Sequence, residues 1–392
     1  MISAREVLDL RAEWSLAVDV IEKDYMLGWL LAGIAQEPQL REAWVFKGGT
    51  CLRKCYYETY RFSEDLDFTV RAGGPETPEE LKPLFVGIAA WLEEEAGIEL
   101  VVEGSSFRRR RNRRGNETTL GRLAYRGPNR PPQLPKVKLD ITSDERLVQE
   151  TVSRQIGHHY SDAPLPIEEV ACYSLVELFA EKLRALQERC RPRDLYDVVH
   201  MHRHPDLAGE APAVATVLAE KCAFVGIDVP TAESIRSSPY RDEIETEWEN
   251  MLGHQLPRPL PPFSDFWDVL DDVFGWLTGT GARTVPARIE REDLDPTWVA
   301  PKAISSWRAG FPLELIRYAG ANRLKVDLDY RAEDGRWGVR RVEPYSLRRT
   351  KDGYLLLFVV NDRGQIRGYR VDRIAGAQVT GERFTPRYFV EF

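Results

Sequence analysis

The segment from Trp44 to Val70 restricts the fold of this chain more than any other stretch. Its sequence, WVFKGGTCLRKCYYETYRFSEDLDFTV, contains an apolar run, two adjacent glycines, a stretch of helical character and a second apolar run. Glycine lacks a Cβ and therefore accepts turns that other residues resist. The segment predicts a strand, a turn at Gly48 and Gly49, a helix and a returning strand.

Two aspartates begin the returning strand. Side chains two apart along a strand point to the same face, so Asp65 and Asp67 lie side by side. At about 5 Å and an effective dielectric near 20, they would repel by roughly 3 kcal/mol. Mg²⁺ would relieve this repulsion, and Asp140, on the strand PKVKLDIT, would add a third carboxylate.

The simpler alternative is a solvated strand end, which is the commoner meaning of an Asp-x-Asp pair alone. Here the glycine turn lies close by in the sequence. Its bare amides can approach a phosphate closely, and Thr50 adds a hydroxyl. This combination favours a metal and phosphate site.

The flanking sequence predicts a mixed sheet followed by helices. Apolar residues recur at helical spacing from Val7 to Ala35, and the Thr77 to Glu80 region caps a helix that runs to about Ala96. Four β-like pieces follow, namely GIELVVEG, SFRRRR, TTLGRLAYRG and PKVKLDIT. Beyond Glu168 the character turns helical, with an apolar stripe in CYSLVELFAEKLRALQERC. The expected fold class is α+β.

Charge is distributed unevenly along the chain. The net charge of −8 disfavours diffuse adhesion to nucleic acid, yet the run RRRRNRR is strongly basic. Its six arginines are Arg108, Arg109, Arg110, Arg111, Arg113 and Arg114. The run precedes the strand of Asp140 and suits an RNA acceptor held by its phosphates, although a solvated mobile loop explains it equally well.

The sequence indicates the compartment of the protein and the state of its cysteines. The N-terminus does not have the pattern of a signal peptide, and no stretch is apolar enough for a membrane helix, so we expect a cytoplasmic protein without a membrane partner. Five cysteines argue against a disulfide framework. Cys51 and Cys55 share helical spacing, but no second cysteine motif completes a zinc site. Buried free thiols are therefore predicted.

Several motifs together resemble the nucleotidyltransferase toxins of the AbiEii/AbiGii kind, within the polymerase-beta-like nucleotidyltransferase superfamily. They occur in the order FKGGT, RFSEDLDF, VKLDIT, FAEKLRAL and RPRDLYDVV, and the likeness covers about residues 1–280. Cys51 stands where the family usually has serine. The resemblance implies transfer of a nucleoside monophosphate from an NTP, with Mg²⁺ or Mn²⁺ as cofactor.

The same resemblance assigns site residues. It implies that Asp65, Asp67 and Asp140 are metal ligands and catalytic residues. Lys182 would face the triphosphate, and Asp194 and Asp197 would complete the catalytic site. The implied nucleotide-binding residues are Lys47, Gly48, Gly49, Thr50 and Ser63. Without the family, Lys182 is a surface lysine on an amphipathic helix, and the two later aspartates are a favourable pair at a helix N-terminus.

The C-terminal part resembles a second family, the WYL domains, which are small SH3-like β folds. The likeness rests on LIRYAGANRLKVDLDY, RRVEPYSL, GYLLLFVV and GYRVDRI, although Gly353 replaces the first residue of the Trp-Tyr-Leu signature. It implies a ligand face formed by Arg341, Tyr354, Arg370 and Arg373. Surface ion pairs of these arginines with Glu343, Asp372 and Glu382 are an equally weighted alternative.

These expectations combine into one domain plan and two functions. The plan is a nucleotidyltransferase core at 1–165, a helical part at 166–280, a linker at 281–304 and a WYL-like β domain at 305–392. The first function is a metal-dependent toxin that modifies RNA, such as a tRNA end, with a cognate antitoxin, in a toxin-antitoxin or phage-defence system. The alternative is a nucleic-acid-binding, ligand-sensing regulator with a non-catalytic nucleotidyltransferase scaffold.

Overall fold

Three helices precede the first strand. The computed structural model describes residues 1–57, 61–112, 114–163, 168–281, 283, 285–298, 300 and 312–392. The helical periodicity predicted from Val7 to Ala35 is divided between two helices, because Ser15 adopts a left-handed conformation with φ 52°. These helices are α1 (Ala4–Trp14), α2 (Val18–Gln36) and α3 (Pro38–Ala43).

A mixed sheet of seven strands forms the centre of the N-terminal region in the described residues. Its strands are β1 (Trp44–Lys47), β2 (Asp65–Val70), β3 (Glu99–Arg111), β4 (Glu117–Arg126), β5 (Lys136–Thr142), β6 (Val152–Gln155) and β7 (Glu169–Cys172). They lie in the order β3-β4-β5-β2-β1-β7-β6. The pairs β2/β5 and β1/β7 are parallel, and the other neighbours are antiparallel.

The predicted strand, glycine turn, helix and strand are present at the centre of this sheet. After β1, helix α4 (Gly48–Cys51) continues as a π-helical turn over Leu52–Tyr56, and the chain returns as β2. Helix α5 (Pro78–Ala96) begins with a capping box between Thr77 and Glu80, as predicted. Helix α2 contacts β2, β5 and β7, while α5 contacts α2 and β3, so both helices bury apolar side chains against the sheet.

Helices follow the sheet. Ser174 caps α6 by accepting a hydrogen bond from the Glu177 amide, and Pro192 occupies the first turn of α7, where no amide donor is needed. The helices of this part are α6 (Leu175–Arg189), α7 (Pro192–Arg203), α8 (Ala211–Val225), α9 (Ala232–Arg236), α10 (Arg241–Thr246), α11 (Trp248–Leu252), α12 (Ser264–Trp267) and α13 (Leu270–Thr278). The predicted apolar stripe of α6 is buried at Leu178, Leu183 and Leu186.

The C-terminal region forms a separate antiparallel sheet with five strands in the described residues. Its elements are α14 (Leu313–Ala321), β8 (Leu324–Arg331), β9 (Trp337–Arg349), β10 (Leu355–Asn361), β11 (Ile366–Arg370) and β12 (Ile374–Arg383). The strand order is β11-β10-β9-β8-β12. The two sheets with their helices confirm the predicted α+β class, whereas the four domain boundaries stay predictions. Among the described residues, no helix combines the length and apolar character needed to cross a bilayer.

Candidate active site

The glycine turn lies directly against the aspartates of β2. Gly48 has φ +85°, and a Cβ there would lie 2.2 Å from Oδ2 of Asp67, so only glycine fits without displacing that carboxylate. A Cβ on Gly49 would lie 3.1 Å from Oγ of Ser63. Thr50 Oγ1 donates to the Asp65 carbonyl at 2.5 Å, which fastens the turn to β2. The turn is thus held in place by the strand that carries the acids.

The predicted metal ligands lie on adjacent strands. Asp67 pairs in register with Lys47 of β1 on one side and with Asp140 of β5 on the other. Burial raises the pKa of Asp67 to about 6, and the charges of Asp140 and Asp65 act in the same direction. A raised pKa of this origin indicates a group whose negative charge needs a nearby cation.

Basic side chains bind two of the three carboxylates. Arg110 forms an ion pair with Asp140, and Lys138 Nζ lies 3.6 Å from Oδ1 of Asp65. In the described part of the chain, the three aspartates do not bring one oxygen each within 4.8 Å of one another. Oxygen donors are nevertheless what a hard cation such as Mg²⁺ prefers, so the donor set fits this ion.

A buried ion-pair network joins α7 to Arg61 and to Lys182 of α6. Asp197 of α7 is fully buried and accepts two hydrogen bonds from Arg61, at 2.6 and 2.8 Å, and an ion pair from Lys182 at 2.7 Å. Burial raises the pKa of Asp197, but these two cations outweigh it and hold that pKa below its usual range. Asp194 is likewise held by both Nε and Nη2 of Arg189, each at 2.7 Å. Both aspartates therefore position cations in this structure.

Two adjoining pockets meet at Asp67. The turn pocket, of about 270 Å³, is lined by Gly48, Gly49, Ser63, Asp65 and Asp67, and by Lys182, Arg189 and Arg193 from the helices. The hairpin pocket, of about 290 Å³, is lined by Asp67, Asp140 and residues of the β3–β4 hairpin, including Arg110 and Arg114. Lys47 and Asp67 border both pockets. The acidic row, formed by Asp65, Asp67 and Asp140, therefore borders the two pockets, and arginines line both of them.

The arginine run lies at the end of the β3–β4 hairpin, with Arg113 outside the described residues. Three of its members are engaged: Arg109 with Glu117, Arg110 with Asp140, and Arg114 with Asp144 at 2.5 Å. Arg108 and Arg111 are exposed. Within the described residues these two arginines form no ion pair, so they are the ones available to an anionic partner.

Comparison with protein-family models identifies the catalytic region. The model of the nucleotidyl transferase AbiEii toxins of type IV toxin-antitoxin systems matches residues 29–272, which is more than half of the chain. The chain belongs to the AbiEii nucleotidyltransferase toxin family. A WYL domain model matches residues 313–379, so this AbiEii-family enzyme carries a C-terminal WYL domain, and both predicted resemblances are confirmed.

Two solved structures are similar to this AbiEii-family chain. MenT4, a nucleotidyltransferase toxin from Mycobacterium tuberculosis H37Rv, is 23% identical, with 70% of this chain and 88% of that chain covered and a TM-score of 0.46. The proteasome accessory factor B/C (PafBC) of Arthrobacter aurescens is 13% identical, with coverages of 94% and 72% and a TM-score of 0.18. No curated protein matches the chain.

The predicted ligand residues of the WYL domain are engaged with acids. Arg341 binds Asp327 through two hydrogen bonds of 2.8 Å and also pairs with Glu382. Arg370 pairs with Asp372 at 2.6 Å, and its guanidinium lies 3.9 Å from the centre of the Tyr354 ring. Arg373 lies 3.6 Å from Glu333. Two acids of the alternative, Asp372 and Glu382, thus hold these arginines, whereas Glu343 pairs with Arg387. Ligand binding by this face stays a prediction.

Sequence reasoning did not assign three charged residues that shape the AbiEii site. Arg61 precedes the aspartates in the motif RFSEDLDF, and only the folded chain shows that it binds Asp197. Glu145 holds Lys47 at 3.2 Å, and Arg189 holds Asp194. Arg61 could have been singled out as the only basic residue of the motif RFSEDLDF. The other two have no sequence signal, because their partners are brought close only by the fold.

Proposed function

We propose that this AbiEii-family enzyme transfers a nucleoside monophosphate from an NTP to an RNA acceptor, such as a tRNA end. The observation that supports the proposal most directly is the position of Asp67 between the turn pocket and the hairpin pocket. A donor on one side and an acceptor on the other would both reach the same acidic row. Phosphoryl-type transfer depends mainly on such positioning and on charge neutralisation.

The turn pocket suits the triphosphate of the donor. Its floor is the turn of Gly48 and Gly49, where backbone amides can approach phosphate oxygens without interference from a side chain. Lys182, Arg189 and Arg193 also line this pocket. Because Asp197 and Asp194 fix Lys182 and Arg189 in place, these cations are positioned before the donor arrives.

Asp65, Asp67 and Asp140 are the residues that would hold Mg²⁺ or Mn²⁺. The ion would supply positive charge to offset the charge that develops on the phosphoryl oxygens and on the leaving pyrophosphate. Asp140 must exchange Arg110 for the cation, and Arg110 already lines the hairpin pocket, where it can then contact the acceptor. The nucleoside monophosphate moves to an acceptor hydroxyl, and pyrophosphate leaves.

The hairpin pocket suits a polyanionic acceptor. Arg110 and Arg114 line it, and exposed Arg108 lies on the same strand. Phosphate contacts of this kind hold an RNA without reading its sequence. The acceptor's reacting hydroxyl would then lie next to Asp140.

The biological setting follows from the family and the second domain. We propose a cytoplasmic toxin that a cognate antitoxin counteracts, in a toxin-antitoxin or phage-defence system. The WYL domain would regulate the catalytic region or recruit its target. Its attachment to the catalytic region through a hydrogen bond of 2.7 Å from Tyr318 to the Pro259 carbonyl supports a mechanical link between the two.

The test is label transfer to RNA. Total RNA is incubated with the protein, Mg²⁺ and each NTP labelled on its α-phosphate, and labelled RNA is separated on a gel. We expect label on a discrete RNA with wild type and none with Asp65→Ala. Equal labelling by both proteins, or no labelling with any NTP, would overturn the proposal.

A further inference from the structure

Three of the five cysteines meet behind the glycine turn. The sulfur atoms of Cys51, Cys55 and Cys172 all lie within 4.8 Å of one another, and the three residues are buried. All five cysteines are free and buried, which confirms the prediction of buried thiols. The sequence placed Cys51 and Cys55 on one helix, and the third member comes from β7, far along the chain. These three residues are the cysteine cluster.

The backbone fixes the cysteine cluster from two sides. Cys51 ends α4 and Cys55 lies in the π-helical turn that follows, an arrangement often found at functional sites. Cys172 pairs in register with Phe46, the residue two before the turn. In a tetrahedral site with Zn–S bonds of about 2.3 Å, sulfur atoms lie about 3.8 Å apart. A contraction of about 1 Å or less would therefore close the cluster around an ion.

Aromatic and basic side chains lie beside Cys172. Tyr56 Oη lies 3.8 Å from Sγ of Cys172, and the Arg154 guanidinium lies 4.8 Å from the centre of the Tyr56 ring. Three thiolates around a divalent ion carry a net charge of −1, which this nearby arginine offsets.

Buried cysteines often act as small apolar residues. Cys190 and Cys222 fit that description, since neither belongs to a cluster of possible metal ligands in the described part of the chain. The cysteine cluster differs from them in two respects. Its sulfurs converge from separate elements, and a phenol and a guanidinium lie at its edge. Arg154 is exposed and Tyr56 is partly exposed, which gives an ion a route inward.

We propose that Cys51, Cys55 and Cys172 bind a thiophilic metal ion of the Zn²⁺ class, with Tyr56 Oη beside the fourth coordination position. Binding forms three metal–sulfur bonds, and each thiol that ligates the ion releases its proton to solvent. The ion would fasten α4 to β7 and so hold the glycine turn. This site is separate from the acidic row and does not depend on the proposed transfer reaction.

Cobalt(II) tests the site, because only sulfur ligands give thiolate-to-cobalt charge-transfer absorption in the near ultraviolet. The full-length protein, freed of metal under reducing conditions, is titrated with Co²⁺ and then with Zn²⁺. We expect the absorption band to saturate at one Co²⁺ per chain in wild type and in Cys222→Ser. Added Zn²⁺ should displace the Co²⁺ and remove the band. Cys172→Ser should lose the band and bind Zn²⁺ at least about a hundredfold more weakly.

A second measurement uses wild type alone, in case Cys172→Ser does not fold. Native protein is alkylated with and without Zn²⁺, and each cysteine is quantified by mass spectrometry. Zn²⁺ should slow alkylation of the three clustered cysteines and leave the rates of Cys190 and Cys222 unchanged. Absence of a thiolate band in wild type, an equal band in Cys172→Ser, or equal protection of all five cysteines would overturn the proposal.

Discussion

Asp197 is fully buried, and the two cations that hold it, Arg61 and Lys182, both line the turn pocket. A carboxylate removed from water needs such partners, because an unpaired buried charge is strongly unfavourable. In return, the carboxylate fixes the two cations in position. The ion pair therefore connects the stability of the catalytic region to the electrostatics of its pocket.

Replacing Arg61 by methionine should destabilise the protein by about 3–5 kcal/mol, since one of the two partners of buried Asp197 is lost. Urea denaturation followed by circular dichroism measures the change. The matched control is Arg370→Met, which removes an arginine paired with Asp372 in the WYL domain where solvent reaches the pair. We expect the control to change stability little. Equal effects of the two substitutions would contradict the role given to the buried pair.

Gly48→Ala should abolish nucleotidyl transfer. The new methyl group would meet Oδ2 of Asp67 at 2.2 Å, so either the turn or the carboxylate must move. Gly73→Ala is the control, because Gly73 has nearly the same positive φ, +81°, with nothing within 4 Å of the added carbon. Both variants should lose about 1–2 kcal/mol from backbone strain. Transfer activity of Gly48→Ala equal to that of Gly73→Ala would show that close approach to Asp67 is not required.

The β3–β4 hairpin brings arginines to the edge of the site, and its far end, together with the start of neighbouring β5, provides a comparison. Arg108 and Arg111 are exposed near the hairpin's tip. Arg126 and Lys136 are exposed at the other end, where Arg126 pairs with Glu99 at 3.0 Å. The tip is the nearer end to Asp140, because Asp140 pairs in register with Leu120, which itself pairs with Arg108.

The double variant Arg108→Gln/Arg111→Gln should weaken tRNA binding and lower the slope of log affinity against log salt by about one unit per arginine. Filter binding without NTP over a series of KCl concentrations measures both quantities. Arg126→Gln/Lys136→Gln removes the same total charge from the far end of β4 and the adjacent start of β5. This control should retain nearly the wild-type slope. Equal losses would mean that net charge, not the hairpin tip, sets the affinity.

Some helices and strands could be predicted from local sequence patterns, and others could not. The strand, turn, helix and strand around Gly48 follow from local signals, and so does the capped helix α5. The pieces GIELVVEG and SFRRRR were predicted as separate strands but form the single strand β3, with a register shift between Val101 and Ser106. The short strands β6 and β7 were not predicted. Pairing of Cys172 with Phe46 is a long-range contact, which a local pattern does not encode.

In the site, too, local patterns could be predicted and long-range contacts could not. The acids of β2 and β5 could be predicted because their alternation is local. The pairing of Asp140 with Arg110 depends on the register of three strands, and that of Asp194 with Arg189 on the turn between two helices. Sequence reasoning therefore found most of the charged residues of the site, including Arg110 and Lys182, but not which of them form ion pairs with each other.

At the scale of the whole molecule, the catalytic region and the WYL domain are in direct contact. Helix α1 packs against α14, and Arg383 of β12 pairs with Asp265 of α12. Glu13 of α1 lies at this boundary. Burial and, as a smaller contribution, the charge of Glu314 on α14 together raise the pKa of Glu13 from 4.5 to about 7. Two carboxylates thus face each other across the contact between the regions.

This pair makes the stability of the protein depend on pH. Below about pH 4.5, Glu13 is protonated in both the folded and the unfolded chain, so it carries no penalty. Between pH 4.5 and about 7 the unfolded chain releases the proton while the folded chain retains it, and the free energy of unfolding falls. The shift corresponds to at most about 3 kcal/mol, and partial exposure of the side chain reduces the effect to on the order of 1 kcal/mol.

Glu13→Gln should therefore raise the thermal unfolding midpoint at about pH 8 and leave it nearly unchanged at about pH 4.5. Differential scanning calorimetry at the two pH values measures the difference between variant and wild type. Glu94→Gln, which removes an exposed carboxylate from α5, is the control and should give no pH-dependent difference. A midpoint of Glu13→Gln below that of wild type at about pH 8 would contradict this prediction. It would show that charged Glu13 stabilises the contact between the two regions, although burial beside Glu314 disfavours the charged form.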